Sequence, residues 1–507
     1  MAFNSILARF KKLSFFDTFK HASTFFSGTM LIHGLGLVSL PVFTAYLTRD
    51  EYGIINIFTS CTVFLAVLLS LNLHWAISRY YFEKDKDDFD SFLGTIFVAV
   101  TALFGLLGII LYGFREPLMQ KLNLPVHLLG WMIGVTYLLI LASFFEQIMV
   151  STKQSKKLTT VQVVIHYTRF AFTCVGLIYL TGVTYMHAGQ VSSYTYMGKI
   201  MGELLASSLI MIYMFSQVLR YMSFKKLSFS YIKYALFYGL PLIPFALSNH
   251  ILIFFDQRFI GATVGNAQAG EYAFAYKIGM LFMGLATALL NGSQANYYKL
   301  MNNEQYKEVS DQVNSMTKLL ALGGCFLILF AIDLGTLLSS SDVFLNALPI
   351  APVIIGSYLF YGVSSFYNRG IYYKKQNKYL AIIIVITGAI NVSLNVYFIP
   401  IYGYQAAAYT TLCSYLVMMV LSIVMTTYIL KLPPLPLGRI LKYIVLLGGI
   451  VGLNYIVGEP NVGLHIGWMC FKALLFVCMG AILFYNKIGF FFKKSTPNDI
   501  LDGPDED

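Results

Sequence analysis

Apolar runs of roughly 20 residues recur along the whole chain, each long enough to cross the hydrocarbon core of a bilayer. They fall near 21–47, 53–73, 91–112, 127–149, 158–181, 194–216, 232–255, 270–290, 315–338, 347–367, 379–399, 404–430, 439–457 and 463–485. Backbone polar groups in lipid find partners only within helices or closed barrels. A barrel would read as short alternating strands, which the sequence lacks. The expectation is an all-α polytopic membrane fold of about fourteen helices. Only 12% of the 507 residues are charged, about half the share typical of soluble domains, roughly 25%.

The formal charge of +11 raises the question of a nucleic-acid partner, and the placement of the charges answers against it. Basic residues concentrate in alternate loops: Arg79 after the second run, Lys156 and Lys157 after the fourth, Arg220, Lys225 and Lys226 after the sixth. Arg369, Lys374 and Lys378 follow the tenth. The intervening loops hold little beyond Arg49, Arg115, Lys121 and Arg258. This alternation predicts both termini in the cytoplasm. Residues 1–19, with Arg9, Lys11 and Lys12 among Phe10, Leu13 and Phe15, read as a cytoplasmic interfacial helix rather than a cleavable signal. The acidic tail at 487–507 is expected to be unstructured. The six cysteines all fall within apolar runs and make neither a metal-ligand spacing nor a disulfide framework. The longest polar links run about 15 residues, leaving no room for a catalytic or nucleotide-binding domain. No phosphate-loop motif is present. The reading is a transporter and not an enzyme, with no resident metal or cofactor.

One stretch occurs twice. Thr48-Arg49-Asp50-Glu51-Tyr52-Gly53 joins two apolar runs, and about 220 residues later Gly270-Glu271-Tyr272-Ala273 does so again. Pro41 lies in the run before the first copy, and Pro241 and Pro244 in the run before the second. Membrane chains with similar halves commonly rock one half against the other around a midplane site. The expected division is two pseudo-symmetric six-helix lobes, 20–217 and 232–430, joined by a cytoplasmic linker at 218–231 and followed by a helix pair at 431–486.

Further residues carry a resemblance. Leu40-Pro41 with the Thr48–Gly53 stretch, Leu240-Pro241-Leu242-Ile243-Pro244 with Asp256-Gln257-Arg258, and Asn391-Val392-Ser393-Leu394-Asn395 with Gly403-Tyr404-Gln405-Ala406-Ala407 resemble Wzx-type polysaccharide flippases. These belong to the multidrug/oligosaccharidyl-lipid/polysaccharide exporter superfamily. The resemblance spans nearly the whole chain. It implies a two-lobed fold in the bacterial cytoplasmic membrane that flips undecaprenyl-diphosphate-linked oligosaccharide, such as an O-antigen repeat unit, to the outer leaflet. Partner enzymes would be glycosyltransferases and a polysaccharide polymerase. A cation-coupled drug antiporter and a lipid II flippase of the same superfamily are the alternatives.

Ionisable residues inside spans are costly and usually face a partner or a water-filled cavity. Arg169 lies near mid-depth in the fifth run, Lys199 and Glu203 one turn apart in the sixth, and Lys277 in the eighth. Arg169, Lys199 and Lys277 are the candidates for contact with a lipid diphosphate, whose oxygens lysine and arginine can pair. Lys199 with Glu203, and Arg169 with Glu203 or Asp333, read equally as structural pairs. Glu203, Asp256, Arg258 and Asp333 are candidates for gating or for coupling to protons or sodium. Arg79 and Arg369 are candidates for an entry lip. His33, His166 and His250 add polarity, and Asn391 and Asn395 share one helix face.

Overall fold

The computed structural model describes residues 31–492 other than 33, 84–87, 153, 187–193, 375, 434 and 458–465. The segment at 1–19, His33 and the tail beyond 492 lie outside the described residues. Among those described, regular structure is helical throughout and no strand occurs. The helices are α1 (Gly34–Tyr46), α2 (Arg49–Ser70), α3 (Ala76–Glu83), α4 (Phe89–Gly113), α5 (Arg115–Lys121), α6 (Leu128–Ser151), α7 (Ser155–Met186) and α8 (Thr195–Leu219). They continue as α9 (Phe229–Gly239), α10 (Ile243–Thr263), α11 (Asn266–Asn302), α12 (Tyr306–Leu329), α13 (Ala331–Leu338), α14 (Ala351–Tyr373), α15 (Asn377–Tyr402), α16 (Ala406–Val424), α17 (Leu437–Val457) and α18 (Ile466–Phe492). Each apolar run of the sequence coincides with one or two of them. Ten helices among the described residues are long and apolar enough to cross a membrane.

Local chemistry explains several boundaries. Thr48 caps α2 by a reciprocal box: its hydroxyl accepts from the Glu51 backbone N–H at 3.3 Å, and its own N–H donates to Glu51 Oε2 at 3.0 Å. The first copy of the repeated stretch is therefore a helix start. The second opens α11, where Gly265 sits at φ +135°, a backbone that glycine alone adopts without strain. The run at 232–255 is two helices, because Pro241 and Pro244 remove donors and leave a 3-10 turn at Leu240–Leu242. The run at 315–338 is also divided, at Phe330. Helix α18 continues to Phe492.

Packing falls into a helix group on each side of α2 and α11. In the N-terminal half α7 packs along α8, and both α6 and α2 pack on α8. In the C-terminal half α14 and α15 pack on α16, and α11 packs on α14. Helix α12 carries α17 and α18 on its outer side. Helix α9 packs on α4 and α3, where Tyr80 stacks on Phe92 at 3.9 Å and Tyr234 meets both rings edge-on. One large apolar cluster runs through both halves, from Leu40 in α1 to Leu483 in α18.

Candidate functional site

The two halves meet at the end of the bundle where α2 and α11 begin. Gly53 and Gly270 put backbone against backbone. A Cβ on Gly53 would lie 1.9 Å from the Asn266 carbonyl oxygen, and one on Gly270 would lie 2.1 Å from that of Arg49. Three further links cross at this end. Arg49 Nη1 donates to Glu271 Oε1 at 2.5 Å. Ser340, after α13, donates its backbone N–H to Thr44 Oγ1 and its hydroxyl to the Pro41 carbonyl, at 2.8 and 2.9 Å. Asn123, after α5, donates to the Gly261 carbonyl at 3.3 Å and accepts from Asn266 at 2.9 Å. This end of the molecule is closed.

The two repeated glutamates have related jobs. Glu51 caps α2 and accepts the Tyr196 backbone N–H at 3.1 Å, joining the starts of α2 and α8. Glu271 holds Arg49, and the Tyr404 hydroxyl just before α16 lies against it. Each glutamate thus ties the start of its own helix to the start of a later one: α2 to α8, and α11 to α16.

Beneath the closed end lie the candidate cations. Phe43 of α1 forms a shelf: Lys199 Nζ is 5.6 Å from its ring centroid and Lys277 Nζ is 5.8 Å from it. Lys277 also lies 4.8 Å from the Tyr52 centroid, within the range of cation–π attraction. Lys199 reaches Glu203 Oε1 at 2.9 Å one turn along α8. Arg169 of α7 donates from Nε to Ser207 Oγ at 2.7 Å. Glu203 sits in the combined field of Lys199, Arg169 and Lys277. Lys199 and Lys277 thus meet over Phe43 from both halves, and Arg169 lies near enough for its charge, like theirs, to act on Glu203, which only Lys199 contacts. The excess charge in the cluster is positive.

The other candidates separate from this cluster. Asp333 is held by Lys472 Nζ at 2.7 Å, in a buried pair that docks α18 against α13. It does not reach Arg169. Arg369 is only 5% exposed, with its guanidinium on the Leu290 carbonyl and on Ser293 Oγ; it lies inside the C-terminal half rather than along an entrance. Arg79 is exposed at the end opposite Thr48, its guanidinium 4.9 Å from the Tyr238 centroid. Arg258 lies over the Phe64 ring at 5.3 Å.

Asp256 is 1% exposed and faces the C-terminal half. It accepts from Asn395 Nδ2 at 2.6 Å, Thr411 Oγ1 at 2.7 Å and Tyr272 Oη at 2.9 Å. Asn395 also bonds Asn391 Oδ1 at 3.2 Å, while Asn391 Nδ2 is buried without a partner. Among the described residues no cation pairs with Asp256. Three side-chain donors, from α11, α15 and α16, converge on this buried carboxylate, and a buried ionisable group in a membrane span is a position where a proton or ion can be exchanged. Among the described residues no group of three or more His, Cys, Asp or Glu could hold a metal ion.

Sequence reasoning missed Lys472, and it missed Phe43 and Tyr52 as the shelf under the lysines. Lys472 was hidden in an apolar run, and aromatic rings in spans read as lipid contacts.

Comparison with known proteins agrees with this architecture. The lipid II flippase MurJ in an inward closed conformation superposes with a TM-score of 0.67 at 16% identity, covering 92% of this chain and 99% of its own. An inward-facing multidrug resistance MATE family transporter gives 0.58 at 12% identity, with 84% and 95% covered. A transporter of the same superfamily from Pyrococcus furiosus gives 0.54 at 13% identity, with 85% and 96% covered. No curated protein sequence matches the chain. The family described as polysaccharide biosynthesis protein matches residues 19–293, more than half of the chain. The chain belongs to that polysaccharide biosynthesis protein family and has the polytopic fold of the multidrug/oligosaccharidyl-lipid/polysaccharide exporter superfamily.

Proposed function

We propose that the protein flips undecaprenyl-diphosphate-linked oligosaccharide, a repeat unit of a polysaccharide such as O-antigen, from the cytoplasmic to the outer leaflet of the bacterial inner membrane. The observation that carries this reading is the grouping of Arg169, Lys199 and Lys277 around Glu203 beneath a closed end. A lysine or arginine at mid-membrane costs about 2.5–3.5 kcal/mol on insertion scales. One carboxylate offsets part of that for three cations, and the rings of Phe43 and Tyr52 offset about 0.5–2 kcal/mol more. A diphosphate would supply the missing negative charge. A cation exporter calls for the opposite balance, an excess of carboxylates.

On this reading both termini are cytoplasmic, the Thr48 end is outer, and the lobes are 20–217 and 232–430. Arg79 stands at the cytoplasmic entrance. Opening the outer end breaks the Gly53–Gly270 crossing and the links of Arg49, Ser340 and Asn123. Asp256, with the oxygens of Asn391, Asn395 and Thr411, is the position for a coupling proton or sodium ion. The product would pass to a polysaccharide polymerase, the substrate having come from glycosyltransferases.

The test is the leaflet distribution of labelled undecaprenyl-diphosphate oligosaccharide in inverted vesicles. Protein-dependent movement that falls at least tenfold in Lys277→Ala, and recovers in part in Lys277→Arg, is expected. Movement of lipid II alone would reassign the substrate. Absence of movement with the native glycan would refute the reading.

A further inference from the structure

A second cationic site lies outside the cluster just described. A cavity of about 680 Å³ opens between α2, α5 and α10, within the roughly 300–1,000 Å³ range of small-molecule clefts. It runs along α10 from His250 to Thr263, which at 1.5 Å per residue is about 20 Å. Its two ends differ in chemistry. Toward the closed end of the bundle stand Lys121, Arg258 and Thr263; along the floor stand Phe64, Phe254, Phe255 and Phe259. Phe255 and Phe259 stack at 5.5 Å. His250 closes the far end, its Nδ1 buried without a partner.

Among the described residues no carboxylate lines this cavity. Among the described residues neither Lys121 nor Arg258 forms an ion pair. Asp256 is two residues from Arg258, but on the opposite face of α10, committed to Asn395, Thr411 and Tyr272. The mouth is held in place by Asn123, which bonds the Gly261 carbonyl on α10 and accepts from Asn266. The result is a preformed trough with a cationic mouth and an aromatic floor. Its length matches one extended lipid chain below a headgroup at the membrane surface.

We propose that this groove binds an anionic glycerophospholipid of the surrounding leaflet, its single phosphate between Lys121 and Arg258 and one acyl chain along the phenylalanine floor. Arginine pairs two phosphate oxygens while its plane stays against an aromatic face, and the Arg258 guanidinium already lies over Phe64. The occupant bridges α5 and α2 of one half to α10 of the other at the end that is closed. It therefore favours the closed arrangement over one in which that end has parted. This inference is independent of what the central cluster transports.

The test is native mass spectrometry of the purified full chain with phosphatidylglycerol or phosphatidylcholine of identical chains. Wild type is expected to retain phosphatidylglycerol at least tenfold more tightly. That preference should vanish in Lys121→Gln/Arg258→Gln and persist in Arg115→Gln, an exposed cation on the same short helix. If the double variant fails to fold, the salt dependence of phosphatidylglycerol retention by wild type decides, since a phosphate held by two cations weakens steeply between 50 and 500 mM salt, on the order of tenfold. Equal retention of both lipids, or a preference untouched by the double substitution, would overturn the proposal. So would displacement of phosphatidylglycerol by undecaprenyl phosphate at equal concentration, which would give the groove to the carrier lipid.

Discussion

Gly53→Ala places a methyl where the structure has no room for one. Its Cβ would lie 1.9 Å from the Asn266 carbonyl oxygen, against 3.4 Å or more in ordinary contact, so α2 and α11 have to part by more than an ångström. Gly270→Ala meets the Arg49 carbonyl in the same way, at 2.1 Å. Overpacking of this kind costs typically about 1–3 kcal/mol. The general gain in helix propensity from glycine to alanine, up to about 1 kcal/mol, acts in every conformation and cancels. The obstruction exists only where the two helices touch, so it penalises the closed arrangement alone. A bias of about 1–3 kcal/mol changes a two-state ratio roughly 5–150-fold. The ion pair across the same seam is weaker. The Arg49 side chain is 40% exposed, and pairs of that kind are worth about 0.2–1 kcal/mol. The assay is electron–electron double resonance between spin labels at Glu116 and Asp342, both exposed near the closed end, in a chain whose native cysteines are replaced. A longer-distance population should grow in Gly53→Ala and Gly270→Ala. It should not grow in Gly105→Ala, where an added Cβ meets nothing within 4 Å. An unchanged distance distribution in both seam variants would refute the claim that this crossing holds the end shut.

Other expectations rest on single contacts. A double-mutant cycle of Arg49→Ala and Glu271→Ala, read by the same distances, should give a coupling no larger than about 1 kcal/mol; a value several times larger would make the ion pair the principal latch. Lys472→Met leaves Asp333 buried without its cation and should destabilise the chain by about 3–5 kcal/mol, seen as a lowered Tm, with most of the loss recovered in Lys472→Met/Asp333→Leu. Asp256→Asn keeps the volume and removes the charge. If a cation is taken there, sodium should raise the Tm of wild type and leave that of the variant unchanged; an equal rise in both would place the ion elsewhere.

How much of this was legible in the sequence depends on the range of the interaction. The helix positions follow from apolar run length, a local property, and the described part of each run is largely helical. The start of α2 could be read from Thr48 and Glu51, since a capping box needs only four residues. The Lys199–Glu203 pair was visible because i, i+4 neighbours share a helix face. That Arg169 and Lys277 join it was an expectation from chemistry alone. The meeting of Lys199 and Lys277 over Phe43, and the approach of Arg169 to Ser207, depend on how α1, α7, α8 and α11 pack, which no local pattern encodes. Asp333 shows the limit most clearly. Its partner lies 139 residues away, in an apolar run whose single lysine gave no periodic signal, so Arg169 appeared as plausible a partner as any. Arg369 sits near the end of its apolar run, and position alone suggested an entrance. The backbone carbonyl of Leu290, which receives it in the interior, has no signature in sequence. The repeated Glu-Tyr stretch was recognisable as a repeat, but not that Gly53 and Gly270 would touch across the two halves.

The Lys472–Asp333 pair also bears on how such a chain is made. Helix α18 carries a lysine that is 1% exposed once folded, and a lone lysine at mid-membrane opposes insertion by about 2.5–3.5 kcal/mol. Asp333 precedes it in synthesis and is already in the bilayer when α18 leaves the ribosome. The expectation is that the ninth apolar run serves as a template for the fourteenth, the earlier charge lowering the barrier for the later one. A fragment ending before α17 would leave Asp333 without its cation, whereas α17 and α18 expressed alone would integrate poorly. Supplied as two pieces in one membrane, the earlier segment should rescue the later, making assembly order a property written into one charge pair.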